Sequence, residues 1–423
     1  MARKMKNSGI EWIGEIPEGW KIAPLKRFAA IQTGNTPSKT SDANYYAANG
    51  IPWIKPDNLG YSHPILTTSE YLTQEGAYHA RIMPPNTVFV CCIGSLGKVG
   101  FSSTSCACNQ QINALVFNDL MFWKYGYYLT IAQESQYLFF GNGNVLQIIN
   151  STSQGNIACV LPPLENQHLI ACYLDSVCSD TEVLISKTRS SIEEYKKLKQ
   201  AVITQAVTKG VRGEREMKDS GVEWTGEIPV NWTIQRFARV AEVKSNLVSP
   251  DNYLEYPQIS PENIEKDSGK LLLPCRTVAE VGVISGNHLF YKGQILYSKI
   301  RPKLNKVCIA PFDGLCSADM YPIESKNDTR YIMYCILSNG FLQQVSMITE
   351  NRVKMPKINQ VELSKVLVAI PEAIAEQKEI ADYLDAKCTE IDGLIAKKEQ
   401  LVKELESYKK SLIYEVVMGK REV

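Results

Sequence analysis

The feature that most constrains this chain is an internal duplication. The phrase MKNSGIEWIGEIPEGW begins at Met5, and MKDSGVEWTGEIPVNW begins at Met217. Between residues 5–22 and 217–234, twelve of the eighteen aligned positions are identical, which chance does not produce. The 423 residues are therefore expected to form two copies of one structural unit, each long enough to bury its own core.

A second repeated segment closes each copy. Residues 161–185 resemble residues 370–395 at an offset of 210 positions. Each copy therefore consists of the phrase, a variable middle and a tail. Identical pairs in the tails include Gln167/Gln377, Ile170/Ile380, Ala171/Ala381, Tyr173/Tyr383, Leu174/Leu384, Asp175/Asp385, Cys178/Cys388 and Lys199/Lys409.

Both tails are predicted to be long helices, because neither contains proline and prolines stand just ahead of each. A 4,3 spacing of apolar residues indicates a coiled-coil seam. At 1.5 Å per residue each helix would be roughly 65–70 Å long. A single helix of this length cannot bury its apolar seam, whereas two helices can bury each other's. The alternative is that each helix packs separately on its own domain. The predicted helix-pairing residues are Ile170, Leu174, Val177, Leu184, Leu198, Ile380, Leu384, Ile391, Leu394, Leu401 and Leu405.

The two middles are much less alike, yet their landmarks occur in the same order. GIPWIKPDNLG (50–60) corresponds to EYPQISPENIE (255–265), and CNQQINALVF (108–117) to CSADMYPIES (316–325). NTVFVCCIGSLGKVGFSS (86–103) corresponds to GQILYSKIRPKLNKVCIAPF (293–312), and both predict a strand, a tight basic turn and a strand. One fold with two different surfaces is expected where each copy recognises a different target.

These patterns predict an α+β fold with two similar mixed α/β domains, two long helices and pseudo-two-fold symmetry. The predicted segments are an N-terminal domain (1–164), a central long helix (165–210), a linker with the repeated phrase (211–235), a C-terminal domain (236–369) and a C-terminal long helix (370–423).

Composition argues against several classes of protein. No apolar run approaches the ~18–20 residues that span a bilayer, and the N-terminus has no signal-peptide pattern, so a cytoplasmic protein is expected. The twelve cysteines form no C-x-x-C pair and the four histidines are scattered. Buried free thiols are therefore expected, and a metal site is not.

No catalytic motif is evident. The chain has no N-P-P-[YF] for adenine methylation and no G-x-x-x-x-G-K-[ST] for a nucleotide phosphate. Carboxylates in KPDN (55–58) and SPDN (249–252) lack an E-x-K partner and are better explained by Asx-Pro turns. This absence fits a chain that binds and positions a target while other proteins catalyse the reaction.

Four segments resemble the specificity subunit of type I restriction-modification enzymes: the repeated phrase, GIPWIKPDNLG, ILYSKIRPKLNKVCIAPFDG and LPPLENQHLIACYLD. The resemblance covers essentially the whole chain. It implies two target-recognition domains, each reading one half of a split DNA sequence, and an antiparallel coiled coil that sets the spacer between the halves.

The resemblance also implies partners. Two modification (methyltransferase) subunits, with or without restriction subunits, would supply adenine N6 methylation and ATP-dependent cleavage on double-stranded DNA. S-adenosylmethionine, ATP and Mg would be held by those subunits, and this chain would hold no cofactor and catalyse no reaction.

Charge gives only a local signal for DNA. The net charge is +1, unlike a stand-alone DNA-binding protein, but residues 281–312 contain five basic residues and no acidic ones. Arginine suits guanine edges, lysine suits phosphates and amides match adenine. A solvated basic turn, and amides that satisfy neighbouring backbone, are the alternatives. The predicted DNA-binding residues are Lys55, Asn58, Lys98, Asn109, Gln110, Gln111, Lys299, Arg301, Lys303, Lys306, Arg352 and Lys354, with Lys357 beside them.

Four tryptophans lie in the repeated phrase: Trp12, Trp20, Trp224 and Trp232. They are interpreted as packing anchors, because an invariant stacking platform cannot distinguish two half-sites. Two other functions remain open. DNA binding without sequence preference would favour a protein-interaction scaffold, and activity of the single chain would favour an intrinsic nuclease or methyltransferase.

Overall fold

The computed structural model describes residues 3–38, 43–60, 63–143, 147–350, 352 and 356–423. The chain forms two compact units. Unit 1 comprises Met1–Arg189 with Glu399–Val423, and unit 2 comprises Ser190–Lys398. Each unit contains one repeated phrase, one middle and parts of both long helices. The duplicated fold predicted from the sequence is confirmed.

The repeated phrase forms the same hairpin in both units. In unit 1, Met5–Asn7 pairs antiparallel with Glu15–Pro17, and unit 2 repeats this register 212 residues later. Trp20 and Trp232 directly follow the hairpins and are 2% and 0% exposed, so their predicted packing role is confirmed. Trp12 and Trp224 are half-buried. We name residues 5–17 and 217–229 the repeat hairpins.

Each unit is built around a larger, four-stranded antiparallel sheet whose two central strands are mostly buried on both faces. Along Thr87–Cys91, Val88 and Val90 point into a core shared with the helices, while Phe89 and Cys91 point into a second core. The strand order is Ala29–Thr33, Ile112–Phe117, Thr87–Cys91, Val99–Ser102 in unit 1 and Ala241–Val243, Met320–Ser325, Ile295–Ser298, Val307–Ile309 in unit 2.

A smaller sheet covers the second core, and here the units differ. Both contain a parallel pair, Ile51–Ile54 with Ala107–Cys108 and Gln258–Ile259 with Gly314–Cys316. Unit 1 extends the sheet beside Ile51–Ile54, with Tyr71–Leu72 and then Tyr46–Ala47; unit 2 extends it beside Gly314–Cys316, with Asn287–Phe290 and then Leu247–Val248. The segments around the parallel pair are thus specific to each unit.

The remaining short elements connect these sheets to the helices. Two-stranded sheets join Lys21–Pro24 to Ala158–Leu161 and Trp232–Arg236 to Leu367–Pro371. The short α-helices are Gln74–Tyr78, Trp123–Ala132, Glu134–Phe140 and Ser151–Gly155 in unit 1, and Phe237–Val240, Val278–Val281, Thr329–Leu337, Asn339–Thr349 and Gln360–Ser364 in unit 2. Single 3₁₀ turns occur at Leu25–Arg27, Ala43–Tyr45, Pro56–Asn58, Pro250–Asn252, Pro261–Asn263 and Pro302–Leu304.

The long helices run over Leu164–Lys209 and Ile374–Val417. Their identical residues make the same contacts in both units. Gln167 accepts a hydrogen bond from the Phe122 N–H at 2.8 Å, and Gln377 accepts one from the Asp328 N–H at 3.0 Å. The Asp175 and Asp385 carboxylates accept from Tyr128 and Tyr334 at 2.8 and 2.7 Å. The repeated tail sequence therefore seats each helix on its domain.

The helices pair antiparallel within each unit. In unit 1, Glu182 pairs with Lys409 and Arg189 pairs with Glu406. In unit 2, the Lys398 ammonium lies over the Tyr195 ring at 5.6 Å, and Lys199 pairs with Asp392 at 2.8 Å. As residue numbers increase along the first helix, those of its partners on the second helix decrease. The two helices are therefore antiparallel.

The predicted seam is wrong at several positions. Leu184 and Leu198 are 47% and 48% exposed, and Leu401 is 40% exposed. Burial falls instead on the next residue in each case: Ile185, Lys199 and Val402. Val177 is half-buried beside the buried Cys178. Of the other predicted residues, Ile170, Leu174, Ile380, Leu384 and Ile391 are buried, and Leu394 and Leu405 are half-buried.

Polar residues explain the displaced seam. Thr181 and Thr188 are buried because their hydroxyls donate to carbonyls of their own helix, at 2.7 and 2.8 Å. Lys199 is buried because it is paired. The 4,3 spacing passes through Thr181 and Thr188, but a search for large apolar residues passes over Lys199. Ile170 and Leu174 lie in the domain core of unit 1, and Ile380 and Leu384 lie in that of unit 2. Near its start each helix therefore also packs on its own domain, as the alternative proposed.

Candidate nucleic-acid interface

The basic segment predicted from the sequence forms a hairpin in unit 2. Strand Ile295–Ser298 leads into a turn at Pro302–Leu304, and strand Val307–Ile309 returns. We name residues 295–309 the basic hairpin. The corresponding strands of unit 1, Thr87–Cys91 and Val99–Ser102, confirm the predicted strand–turn–strand equivalence.

A second basic segment lies directly against this hairpin. The Arg301 N–H donates to the Pro356 carbonyl at 2.8 Å, and the Ile358 N–H donates to the Lys299 carbonyl at 2.9 Å. Arg352 and Lys357 therefore lie beside the hairpin cations, although about fifty residues separate the segments in sequence. Two groups predicted separately form one surface. Lys354 lies outside the described residues.

The turn holds Arg301 in an unusual backbone conformation. Arg301 has φ 45° and Asn305 has φ 44°, in the left-handed region that side chains with a Cβ rarely adopt. The corresponding turn of unit 1 has Gly94 and Gly97, with φ 82° and 77°. Asn305 is fixed by its amide, which donates to the Leu337 carbonyl at 3.2 Å. No comparable contact of the Arg301 side chain is found among the described residues, so strain is tolerated to display an arginine where unit 1 has glycine.

The cations of this surface fall into two groups. The Lys299 ammonium lies 5.1 Å from the Tyr321 ring centre. Arg352 donates to Glu362, and this contact holds the pKa of the Glu362 carboxyl below its ordinary value. Arg301 and Lys303, in contrast, are exposed and form no side-chain hydrogen bond or ion pair within the described part of the chain. These two are free to bind an anion.

Lys98 and Lys306 occupy equivalent places in the two units. The Lys98 ammonium donates to the carbonyl of Pro56 at 3.0 Å, and Lys306 donates to that of Pro261 at 2.7 Å. Each proline opens the 3₁₀ turn that follows the first strand of the parallel pair. In each unit this lysine therefore links the smaller sheet to the strand–turn–strand segment. DNA contact by Lys98 and Lys306 stays a prediction.

Lys55 and Asn58 belong to the same turn in unit 1. The Asn58 side chain accepts from the Lys55 N–H at 2.9 Å. The Lys55 ammonium lies 2.9 Å from a Glu70 oxygen and 4.9 Å from the Trp53 ring centre. Both residues thus have local partners, and DNA contact by them stays a prediction.

The three predicted amides of unit 1 are consecutive but differ in surroundings. Asn109 is buried, and its side chain donates to the Gln111 side chain at 2.9 Å. Gln110 is exposed and accepts from the Thr36 hydroxyl. Of the three, Gln110 is the most accessible to a base edge.

Sequence reasoning did not single out an exposed aromatic and basic segment in unit 1. Tyr78 is 91% exposed and lies against His79, whose ring is also 4.9 Å from that of Tyr45. Nearby, Arg81 donates to the Thr33 carbonyl at 2.6 Å. The interleaved letters in AYHAR were the available signal. The segment borders the part of the smaller sheet that is specific to unit 1.

Other site types find no support in the described ranges. They contain no group of three His, Cys, Asp or Glu side chains arranged to hold a metal ion. No helix among them is long and apolar enough to cross a membrane. All twelve cysteines are free thiols, and ten are buried.

Comparison with known proteins gives the same family for both halves of the chain. Residues 17–194 and 229–404 match the family described as type I restriction modification DNA specificity domain. The type I restriction enzyme EcoDI specificity subunit of Escherichia coli is 32% identical over 382 residues, covering 87% of this chain and 81% of that protein. The MjaVIII specificity subunit of Methanocaldococcus jannaschii is 24% identical over 428 residues, covering 96% and 93%.

A solved structure shares the fold. A chain from a study of the complex assembly and conformational transition of the type I R-M system matches with a TM-score of 0.70 at 13% identity. The match covers 96% of this chain and 99% of that one.

Proposed function

Because the chain belongs to the specificity subunits of type I restriction-modification enzymes, we propose that unit 2 reads one half of a split DNA site through its basic hairpin, and that unit 1 reads the other half through its equivalent turn. The observation that carries this proposal is Arg301, which is exposed, has no side-chain partner among the described residues and is held at positive φ beside a second basic segment.

The chemistry of the surface suits DNA. Arg301 presents a fork of donors that can bind the O6 and N7 atoms of guanine, and each such bidentate contact discriminates against a wrong base by about 1–3 kcal/mol. Lys303, next to it in the turn, provides a point charge for a phosphate. Lys299, Lys306 and Arg352 extend the same basic surface. For Lys354, which lies outside the described residues, DNA contact stays a prediction.

Unit 1 carries less basic charge and offers amides instead. Gln110, with Asn109 and Gln111 behind it, is proposed to meet an adenine edge. Lys55, Asn58 and Lys98 are proposed to lie near the DNA backbone. The target-recognition domains are proposed to span 1–164 and 236–369.

The chain is a non-catalytic subunit, and the reactions are proposed to occur on its partners. Two modification subunits would methylate adenine N6 with S-adenosylmethionine, and restriction subunits would cleave DNA with ATP and Mg. The complex would act in the cytoplasm, where the DNA is. The long helices, 46 and 44 residues, are proposed to set the unread spacer.

The decisive experiment is methylation mapping. The chain is co-expressed with its modification subunit in a host that lacks adenine methylation, and N6-methyladenine is located by sequencing. We expect one split motif with a constant unread gap. The absence of methylation, in a well-formed complex that binds DNA without sequence preference, would favour the scaffold alternative.

One substitution sharpens this experiment. Arg301→Gly removes the guanidinium and relieves the positive φ, so the fold is kept. We expect one half of the motif to relax at one base pair while the other half is unchanged. Lys292→Ala is the matched control, because it removes an exposed cation ahead of the same strand, away from the turn. An unchanged motif in the Arg301 variant would contradict the proposal.

A further inference from the structure

Two large apolar side chains are almost fully exposed, one in each unit. Tyr78 is 91% exposed and Ile284 is 96% exposed, the highest values for large apolar residues in the described part of the chain. A single exposed apolar residue needs no explanation. Two of them at equivalent places in a duplicated fold indicate a shared purpose. We name Tyr78 and Ile284 the apolar tips.

The register of the smaller sheets shows that the two tips are equivalent. In unit 1 the Trp53 N–H donates to the Glu70 carbonyl at 3.3 Å. In unit 2 the Gln258 N–H, at the matching place in the parallel pair, donates to the Arg276 carbonyl at 2.9 Å. Each tip is the eighth residue after the accepting residue. The fold therefore places the two tips at the same position, although their side chains differ.

The tip of unit 1 is connected to the amide that is proposed to meet adenine. The Asn35 side chain donates to the carbonyl of His79, directly after the tip, at 2.7 Å and accepts from the Arg81 N–H at 2.9 Å. The next residue, Thr36, donates its hydroxyl to Gln110. The tip of unit 1 therefore lies on the same hydrogen-bonded surface as Gln110.

The tip of unit 2 is connected to the basic hairpin. Ile284 leads into strand Asn287–Phe290, in which His288 is buried. Burial and, secondly, the nearby Lys299 ammonium lower the pKa of the His288 imidazole, so this strand runs beside the basic hairpin. Four residues of chain span at most about 14 Å, which keeps Ile284 close to that hairpin.

Both tips lie in segments that lack negative charge. Residues 76–118 and 281–312 are the two longest stretches of the sequence without Asp or Glu. Each stretch contains one tip and the strand–turn–strand segment of its unit. A surface without carboxylates can approach the phosphate backbone of DNA without repulsion. A protein partner common to both units would instead favour the same residue at both tips.

We propose that Tyr78 and Ile284 are specificity-determining residues, each in contact with the C5 methyl group of a thymine in the half-site that its unit reads. The inference rests on the proposed function and adds a base contact to it. The isoleucine side chain has no hydrogen-bonding atom, and the thymine methyl is the apolar group that base edges offer in the major groove. The tyrosine ring offers apolar area to the same group. A half-site methylated at adenine contains an A·T pair, so each half contains a thymine.

The test compares thymine with deoxyuridine, which lacks only the C5 methyl group. The complex of the full chain with its modification subunit is titrated with fluorescent duplexes that carry the mapped motif, and each thymine is replaced in turn. In the wild type, one replacement in each half is expected to weaken binding about fourfold, the effect of one buried methyl-sized group. Ile284→Ala should abolish this loss in the half that Arg301→Gly relaxes, and Tyr78→Ala should abolish it in the other half.

Two further variants serve as controls. Tyr78→Phe keeps the ring and should keep the loss of binding with deoxyuridine. Leu198→Ala removes an apolar side chain that is 48% exposed on the long helix, and it should change the deoxyuridine effect in neither half. None of these changes removes a buried side chain, so all four variants should fold.

The outcomes separate this contact from the proposed function. A split motif with the same deoxyuridine effect at every position in both alanine variants would overturn the thymine contact and leave DNA recognition standing. Release of the modification subunit by either alanine variant would also overturn it, because the tip would then contact protein. A wild-type complex that binds DNA without sequence preference would overturn both.

Discussion

The buried ion pair between the long helices in unit 2 gives a quantitative prediction. The Lys199 side chain is 6% exposed, and its ammonium contacts both Asp392 carboxylate oxygens, at 2.8 and 2.9 Å. Asp392 is 18% exposed and has a second cation, Lys270, at 2.7 Å. Lys199 depends on Asp392 alone among the described residues, whereas Asp392 has another partner. The two residues should therefore respond differently to mutation.

The asymmetry sets the magnitudes. Asp392→Ala leaves a buried ammonium without a partner, which costs about 3–5 kcal/mol. Lys199→Ala leaves Asp392 with Lys270 and some water, so we expect a loss of about 1–2 kcal/mol. For a domain of this size, about 2–4 °C in Tm accompanies each kcal/mol, so the Asp392 variant should melt about 10 °C lower and the Lys199 variant about 4 °C lower.

Scanning calorimetry of the full chain measures both. The matched control is Lys409→Ala, the repeat equivalent of Lys199, whose pair with Glu182 is 22% and 40% exposed and worth about 0–1 kcal/mol. The double variant Lys199→Ala with Asp392→Ala should be more stable than Asp392→Ala alone. Equal losses from the two single variants, or a loss of 1 kcal/mol or less for Asp392→Ala, would refute the reasoning.

Three further predictions concern charge and thiols. Lys303→Ala should make the negative slope of log K against log salt for DNA binding less steep by about 0.9, because one phosphate contact is lost. Fluorescence anisotropy measures this slope, and an unchanged slope would show that Lys303 does not contact a phosphate. Arg352 depresses the folded-state pKa of Glu362 below 4.5, so this contact stabilises the fold above that pH and is lost as pH falls through the depressed value. Arg352→Ala should raise the pKa of Glu362 in an NMR titration, and no rise would contradict the contact. Of the twelve thiols, a disulfide reagent should label Cys172 quickly, Cys275 more slowly and the ten buried ones only on unfolding; rapid labelling of several thiols would contradict their burial.

The sequence was sufficient for the architecture because duplication is visible without knowing any contact. Two phrases in one register predict two hairpins in one register, and the pairing of Met5 with Pro17 and of Met217 with Pro229 agrees. The smaller sheets could not be predicted in this way. Their strands are two to four residues long, and neighbours on opposite sides of the parallel pair extend them in the two units.

The helix seam shows a different limit. The spacing of apolar residues correctly predicted both helices. It selected the seam residues, however, by the size and apolarity of their side chains. The buried positions are set by what each side chain can satisfy, and a threonine bonded to its own helix or a paired lysine is as acceptable there as leucine. The apolar pattern selected Leu184, Leu198 and Leu401 as seam residues. In each case the buried residue is the one that follows in the sequence.

The candidate site was predicted in part. The run of cations in residues 281–312 identified the basic hairpin. Its contact with the segment around Pro356 arises from backbone hydrogen bonds between segments about fifty residues apart, with two strands and two helices between them, which no local pattern encodes. The positive φ of Arg301 is equally hidden, because arginine is a poor predictor of that conformation.

The composition of unit 1 has a consequence for biosynthesis. Its core includes Leu412, Ile413 and Val416, and the Tyr125 hydroxyl donates to the Val417 carbonyl at 3.2 Å. The ribosome reaches these residues only after all of unit 2, roughly 210 residues, which takes on the order of 10–40 s at about 5–20 residues per second. Unit 2 is continuous in sequence and can complete its core first. The half of the protein that emerges first is thus expected to complete its core last, when the end of the second helix has been made. A premature stop codon in the second half would remove from the unit 1 core the residues that the second helix contributes, Leu412, Ile413, Val416, Val417 and Met418.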